Sequence, residues 1–256
     1  MKVEKILGYS VAVASVKECV EEISHWIEHR SNPRYCVCAN PHSIEVALDD
    51  DLFSQAIRSA DLVIPDGIGV VWASRLLGGR ITERVTGSDI FEGVCSSLSR
   101  RGGYKMFFLG STVQTLQDIN ARMHERFPGL EVVGFYSPPF TDEFGDTENT
   151  QMVEAVNVAQ PDVLWVGMTA PKQEKWIFRN LGRLQVPAIC AVGAVFDFFT
   201  DRVFRAPRTL QWLGLEWLPR LIQQPRRMWR RNFISNPRFV LRVISDRFRS
   251  AGHRIQ

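Results

Sequence analysis

Asp66 stands in Ile64-Pro-Asp-Gly-Ile-Gly-Val70, directly after an apolar run, with Gly67 and Gly69 beside it to let backbone approach a ligand closely. A carboxylate there has the chemistry of a general base, removing a proton from an attacking hydroxyl. The competing reading is that it caps the helix beginning near Gly69. A second junction is Phe107-Phe-Leu-Gly-Ser-Thr112, where Gly110, Ser111 and Thr112 open a helix. Its free N–H groups and dipole make a seat for a diphosphate or nucleotide, or else an ordinary cap. In Val166-Gly-Met-Thr-Ala-Pro-Lys-Gln-Glu-Lys-Trp176, Pro171 fits a first helical turn. That aims Lys172 and Gln173 at a polar, phosphorylated ligand, unless the segment is only a solvated helix start. Asp197 follows a fourth run, Val192-Gly-Ala-Val-Phe-Asp-Phe-Phe199. Arg84, in Arg84-Val-Thr-Gly-Ser-Asp89, has the fork to pair with phosphate, and Ser88 or Asp89 caps the helix after it.

Other chemistries fit poorly. Gly67-x-Gly69 imitates a dinucleotide fingerprint, but its third small position is Trp72, which disfavours a nicotinamide cofactor. Asp49-Asp50-Asp51 imitates the acidic triplet of metal-dependent sugar-nucleotide enzymes, yet lies between helical stretches and reads as a solvated turn. Five histidines show no ligand spacing, so no metal site is expected. Five cysteines, without a CxxC pair and mostly within apolar runs, read as reduced cytosolic thiols.

These junctions need strands and helices to hold them. Apolar runs at 35–39, 61–65, 105–109, 131–135, 163–167 and 188–192 alternate with helical patterns at 17–30, 42–60 (broken near 49–51), 69–78, 88–101, 112–127, 148–160 and 171–184. The alternation predicts an α/β fold, a Rossmann-like and mostly parallel sheet flanked by helices, whose ligands sit beyond the carboxyl ends of the strands. In 112–127, Val113, Leu116, Ile119, Met123 and Phe127 form one apolar stripe expected in the core. The 256 residues, 45% hydrophobic and 23% charged, contain no apolar run near the ~18 needed to span a bilayer, and the first residues do not read as a signal peptide.

Past residue 200 the pattern changes to amphipathic helical stretches punctuated by prolines, which sets a domain boundary between a core, 1–200, and a helical arginine-rich appendage, 201–256. The net charge of +3 divides into −8 for residues 1–201 and +11 for the remainder, which holds 13 arginines and no lysine. Arginines interleaved with Trp212, Trp217, Leu218, Trp229 and Phe233 have the composition of an interfacial anchor on an anionic membrane. Nucleic acid is the weaker partner, because the acidic core would repel it, and a tail folded onto that core is the plainest alternative.

Ile64-Pro-Asp-Gly-Ile-Gly-Val70, Glu83-Arg-Val-Thr-Gly-Ser-Asp89, Phe108-Leu-Gly110, Ala170-Pro-Lys-Gln-Glu-Lys-Trp176, Arg205-Ala-Pro207 and Gly214-Leu-Glu-Trp-Leu-Pro-Arg-Leu221 together resemble the WecG/TagA/CpsF glycosyltransferases over about residues 5–235. The resemblance implies an inverting, metal-independent enzyme without cofactor, peripheral at the cytoplasmic face of the bacterial plasma membrane. It would move a sugar (N-acetylmannosamine, its uronic acid or glucose) from a UDP-sugar to a polyprenyl diphosphate-linked sugar in surface polysaccharide synthesis. Carried over by motif, Asp66 is the base, Asn40, Arg84 and Gln173 line the pocket, and Arg220, Arg227 and Arg230 meet a diphosphate. The chain departs from the family at Cys38-Ala39, where a threonine is frequent, and at Tyr136-Ser-Pro-Pro-Phe140. A homo-oligomer stays open, and the reading from another class is a non-catalytic UDP-sugar-binding membrane scaffold.

Overall fold

The computed structural model describes residues 1–30, 32–203, 221–223 and 225–252, and of Arg226, Arg227 and residues 250–252 the backbone only. It opens with a hairpin that the apolar-run pattern does not reveal. Strands β1 (Val3–Ile6) and β2 (Tyr9–Ala12) pair antiparallel around Leu7 and Gly8. Both turn residues have positive φ, 48° and 84°, the backbone of a tight two-residue turn whose twist matches the strands.

The six expected strands form one parallel sheet, each within a residue of its expected ends: β3 (Arg34–Ala39), β4 (Leu62–Pro65), β5 (Tyr104–Gly110), β6 (Leu130–Tyr136), β7 (Val163–Gly167) and β8 (Ala188–Ala191). Their order is β4-β3-β8-β7-β5-β6. The pleat divides each central strand between two cores. On β5, Phe107 and Leu109 enter one core and Met106 and Phe108 the other. Sheets buried on both faces read as continuous apolar runs, which is why these strands were legible.

One face carries α1 (Val16–His29), α5 (Gly87–Arg101), α6 (Val113–Arg126) and a short α9 (Val195–Phe199). The other carries α2 (Pro41–Ala47), α3 (Asp51–Arg58), α4 (Ile68–Leu77), α7 (Asp146–Ala159) and α8 (Lys172–Asn180). The break expected near 49–51 is present. Asp50 caps α3 through Phe53 N–H at 3.0 Å and pairs with Lys175. Three local expectations are corrected. The α5 cap is Thr86, with Asp89 returning the bond of a capping box, and not Ser88 or Asp89. Pro171 holds the cap position just before α8 and is not inside its first turn. Val113 is more than half exposed, because it heads α6 at the strand ends, while Leu116, Ile119 and Met123 are buried as expected.

Two described C-terminal helices, α10 (Pro225–Arg230) and α11 (Asn236–Gly252), are joined by a π-helical turn, Arg231–Ser235. Helix α11 packs on α2 and α4, burying Phe239 and Val243 in the first core, and Arg242 Nε donates to Glu45 Oε1 at 2.8 Å. Part of the basic tail thus rests on the core, through apolar burial and one arginine–glutamate contact.

Candidate active site

The chain leaves β3, β4 and β7 toward one face and β5 and β8 toward the other, so the carboxyl ends of the strands border an open crevice. At one end, parallel pairing sets Ala39 beside Pro65, which brings the residues that follow, Asn40 and Asp66, side by side. Asp66 N–H donates to Ala39 O at 2.9 Å, and Asn40 Nδ2 donates to Asp66 Oδ2 at 3.2 Å. Asn40 is held in turn as the cap of α2, its Oδ1 accepting from Ser43 N–H at 3.0 Å. Helix α4 starts after Gly67 without a side-chain cap, so Asp66 does not cap it. Gly67 has φ +88°, and a Cβ on Gly69 would stand 2.5 Å from Pro41 Cγ, so glycine at both positions lets the α4 start close on α2. Arg84 is half-buried in the connection between α4 and α5.

Over β5 to β8 the crevice widens into a cavity of about 730 Å³. Ser111 and Thr112 form one wall, the 137–144 loop another, and Lys172, Gly193 and Asp197 close it. Thr112 caps α6 by accepting from Thr115 N–H at 3.2 Å, and Gly110 and Ser111 turn into it with φ +118° and +58°. Lys172 reaches Thr141 O, its Nζ 4.0 Å from the Phe144 ring centre, and partial burial lowers its pKa. The sequence residues therefore fall into two groups. Ser111, Lys172 and Asp197 line the cavity and Gly110 immediately precedes its Ser111–Thr112 wall, whereas Asp66, Asn40 and Arg84 are not among its walls.

Gln173 belongs to neither group. It is 3% exposed, its Oε1 accepting from Gly193 N–H at 3.1 Å and its Nε2 donating to Glu174 Oε1 at 2.9 Å. It props the β8 turn from beneath. Of the tail residues, Arg220 lies outside the described residues, as does the Arg227 side chain, and Arg230 ends α10 on the surface.

Two further residues take a character that spacing does not signal, one of them Glu174, the carboxylate that follows Lys172 and Gln173 and that sequence position alone would aim at a polar ligand. Glu174 is 2% exposed, with Oε2 buried and without a hydrogen-bond partner, and burial pushes its pKa to about 7. Folded Glu174 keeps its proton to higher pH than the unfolded carboxyl at 4.5, so its contribution is full below 4.5 and is lost as pH rises through 7. Glu174→Gln should remove that slope. Urea unfolding at pH 4 and pH 8 should show the variant gaining about 3 kcal/mol relative to wild type across the interval, and parallel curves would contradict the buried neutral acid. His42, on the first turn of α2, places Nδ1 2.9 Å from Ser235 Oγ and so docks the π-helical turn beside Asn40. Burial and then the Arg231 and Arg230 charges lower its pKa to about 4. The unfolded imidazole takes a proton first on acidification, so stability should fall between pH 6.5 and 4. Melting temperatures of His42→Asn should lack that acid loss.

Asp66 also bears on Cys38. Burial, then the Asp66 carboxylate, push the Cys38 thiol well above its usual range, so it is no thiolate nucleophile.

A family model described as the glycosyl transferase WecG/TagA/CpsF family matches residues 4–253. Similar proteins include an N-acetylglucosaminyldiphosphoundecaprenol N-acetyl-beta-D-mannosaminyltransferase of Bacillus spizizenii, 29% identical over 85% of this chain and 81% of its own. A protein of the same description from Staphylococcus aureus is 26% identical over 93% of this chain and 91% of its own.

Proposed function

The chain belongs to the WecG/TagA/CpsF glycosyltransferase family and is a glycosyltransferase, and from that premise we propose that it transfers N-acetylmannosamine from a UDP-linked donor to N-acetylglucosamine carried on a polyprenyl diphosphate. The relatives' names supply the acceptor class and the transferred sugar. Of the donors the sequence allowed, N-acetylmannosamine is therefore favoured over its uronic acid and glucose. A catalyst of this class also replaces the scaffold reading.

The observation that carries the mechanism is the Asp66–Asn40 pair at one end of a crevice whose other end is a nucleotide-sized cavity. The donor's nucleotide lies in that cavity, its diphosphate against the Ser111–Thr112 start of α6, where N–H groups and the dipole favour an anion. Asn40 orients the Asp66 carboxylate toward the acceptor hydroxyl. Asp66 takes the proton as the oxygen attacks the anomeric carbon from the face opposite UDP. The new C–O bond forms as the bond to UDP breaks, and UDP leaves with the electron pair. Lys172, Arg84 and the tail arginines Arg220, Arg227 and Arg230 offset the charge on the diphosphates in place of a metal ion.

Residues 1–200 act as the core and 201–256 as an appendage that seats it on the cytoplasmic face of the membrane. No described helix is long and apolar enough to cross a bilayer. The reading is tested by UDP release from a panel of UDP-sugars, with EDTA present and short-chain polyprenyl diphosphate-linked N-acetylglucosamine as acceptor. Acceptor-dependent release from UDP-N-acetylmannosamine is expected. Release that requires a divalent cation would remove the metal-independent mechanism.

A further inference from the structure

Helix α4 begins two residues after Asp66 and turns an apolar stripe away from the core. Ile68, Trp72 and Leu76, spaced four apart on one helix face, are 41%, 68% and 45% exposed. Val70, Val71 and Ala73 fill the opposite face, so the stripe is surplus to the core. Large exposed side chains aligned on one face mark a contact surface, and tryptophan is the residue suited to a lipid boundary.

The neighbouring helix extends this surface. Phe239 and Val243 point α11 at the core, and Arg242 reaches toward Glu45 of α2. At 100° per residue, Val240 and Ile244 fall on the flank away from Arg242, with Phe248 continuing outward, all three exposed. Two adjacent helices of one layer, α4 and α11, thus carry apolar residues on the molecule's outside. The polar end of the same region is close by. The His42–Ser235 contact fastens the Arg231–Ser235 turn to the start of α2, next to Asn40 and Asp66.

We propose that the α4 stripe of Ile68, Trp72 and Leu76, bordered by α11, is the track for the isoprenoid chain of the acceptor. This deepens the proposed function and rests on its polyprenyl diphosphate acceptor. The chemistry gathered on this surface matches such an amphiphile: a carboxylate for the sugar hydroxyl, the basic Arg231–Ser235 turn fastened nearby for the diphosphate, and about 12 Å of apolar helix from Ile68 to Leu76 for the first isoprene units. A nearby bilayer alone would not require the stripe to begin beside the base.

The test compares the full chain with Trp72→Ser/Leu76→Ser, both exposed positions whose loss leaves the core intact. Binding of two sugar-free polyprenyl diphosphates, one short and water-soluble and one long, is measured in mixed micelles, with sedimentation on anionic phosphatidylglycerol vesicles as a separate arm. Wild type should hold the long chain at least about tenfold more tightly, and the variant should lose that preference while binding the short diphosphate and the vesicles unchanged. A preserved chain-length preference would overturn the track. So would a parallel loss of vesicle binding and of both diphosphates, which would mark α4 as general membrane contact, and so would failure of wild type to bind either diphosphate. The expected binding pattern without sugar transfer from any UDP-sugar would leave the track standing and overturn the proposed reaction.

Discussion

Asp66→Asn should lower turnover by about 10³-fold, within the ~10²–10⁴ range of a positioned base, and leave the fold intact. The substituted amide keeps the volume of the carboxylate, and its oxygen can still accept the 3.2 Å bond from Asn40 Nδ2. What is lost is the negative charge and with it the ability to take a proton. Asp66 is half-buried and caps no helix, so the substitution removes no helix cap. Acceptor-dependent UDP release gives the turnover, and UDP affinity with melting temperature gives the control. Turnover within tenfold of wild type would remove Asp66 as the base.

Gly110→Ala should be a severely damaging single-methyl change at the donor end. Gly110 has φ +118°, a region glycine occupies without strain, and an added Cβ would stand 2.6 Å from the Gly167 carbonyl oxygen and 3.0 Å from Met168 Cγ. The first obstacle is backbone of β7, paired in register with Gly110, so neither strand can yield without breaking its ladder. Strain and overlap together should cost about 3 kcal/mol or more. The displacement passes directly to Ser111 and the Thr112 cap, so UDP affinity should fall at least about tenfold. Urea unfolding and UDP titration read the two effects separately. Lowered stability with wild-type UDP affinity would contradict the assignment of this turn to the diphosphate.

The sheet was legible because its strands are buried on both faces and read as apolar runs, each ending at a turn residue. The β1–β2 hairpin was not, since Val3-Glu-Lys-Ile6 and Tyr9-Ser-Val-Ala12 mix polar with apolar residues and only Gly8 marks the turn. At the site, Asp66 and Gln173 stood out because each follows a strand in a glycine- or proline-marked turn, yet spacing does not tell which way a side chain faces. Gln173 reads like a pocket residue, but its amide is committed to Gly193 and Glu174. Glu174 acquires its character from burial, and His42 from burial and from the turn holding its partner Ser235, which lies 193 residues later in the chain. Such properties come from tertiary packing. Local pattern also favoured Ser88 or Asp89 as a cap, whereas Thr86, the first hydroxyl before the helix, takes that place.

The proposed reaction is transfer with inversion to a lipid-linked sugar without a metal ion. Its most direct test is to incubate the full chain with UDP-N-acetylmannosamine, polyprenyl diphosphate-linked N-acetylglucosamine and EDTA, then identify the lipid product by mass and by its one-bond C1–H1 coupling. One added N-acetylhexosamine in β linkage is expected, formed from the α-linked donor with an equal amount of UDP. An α-linked product, or a sugar covalently attached to the protein during turnover, would contradict single displacement by an acceptor activated at Asp66.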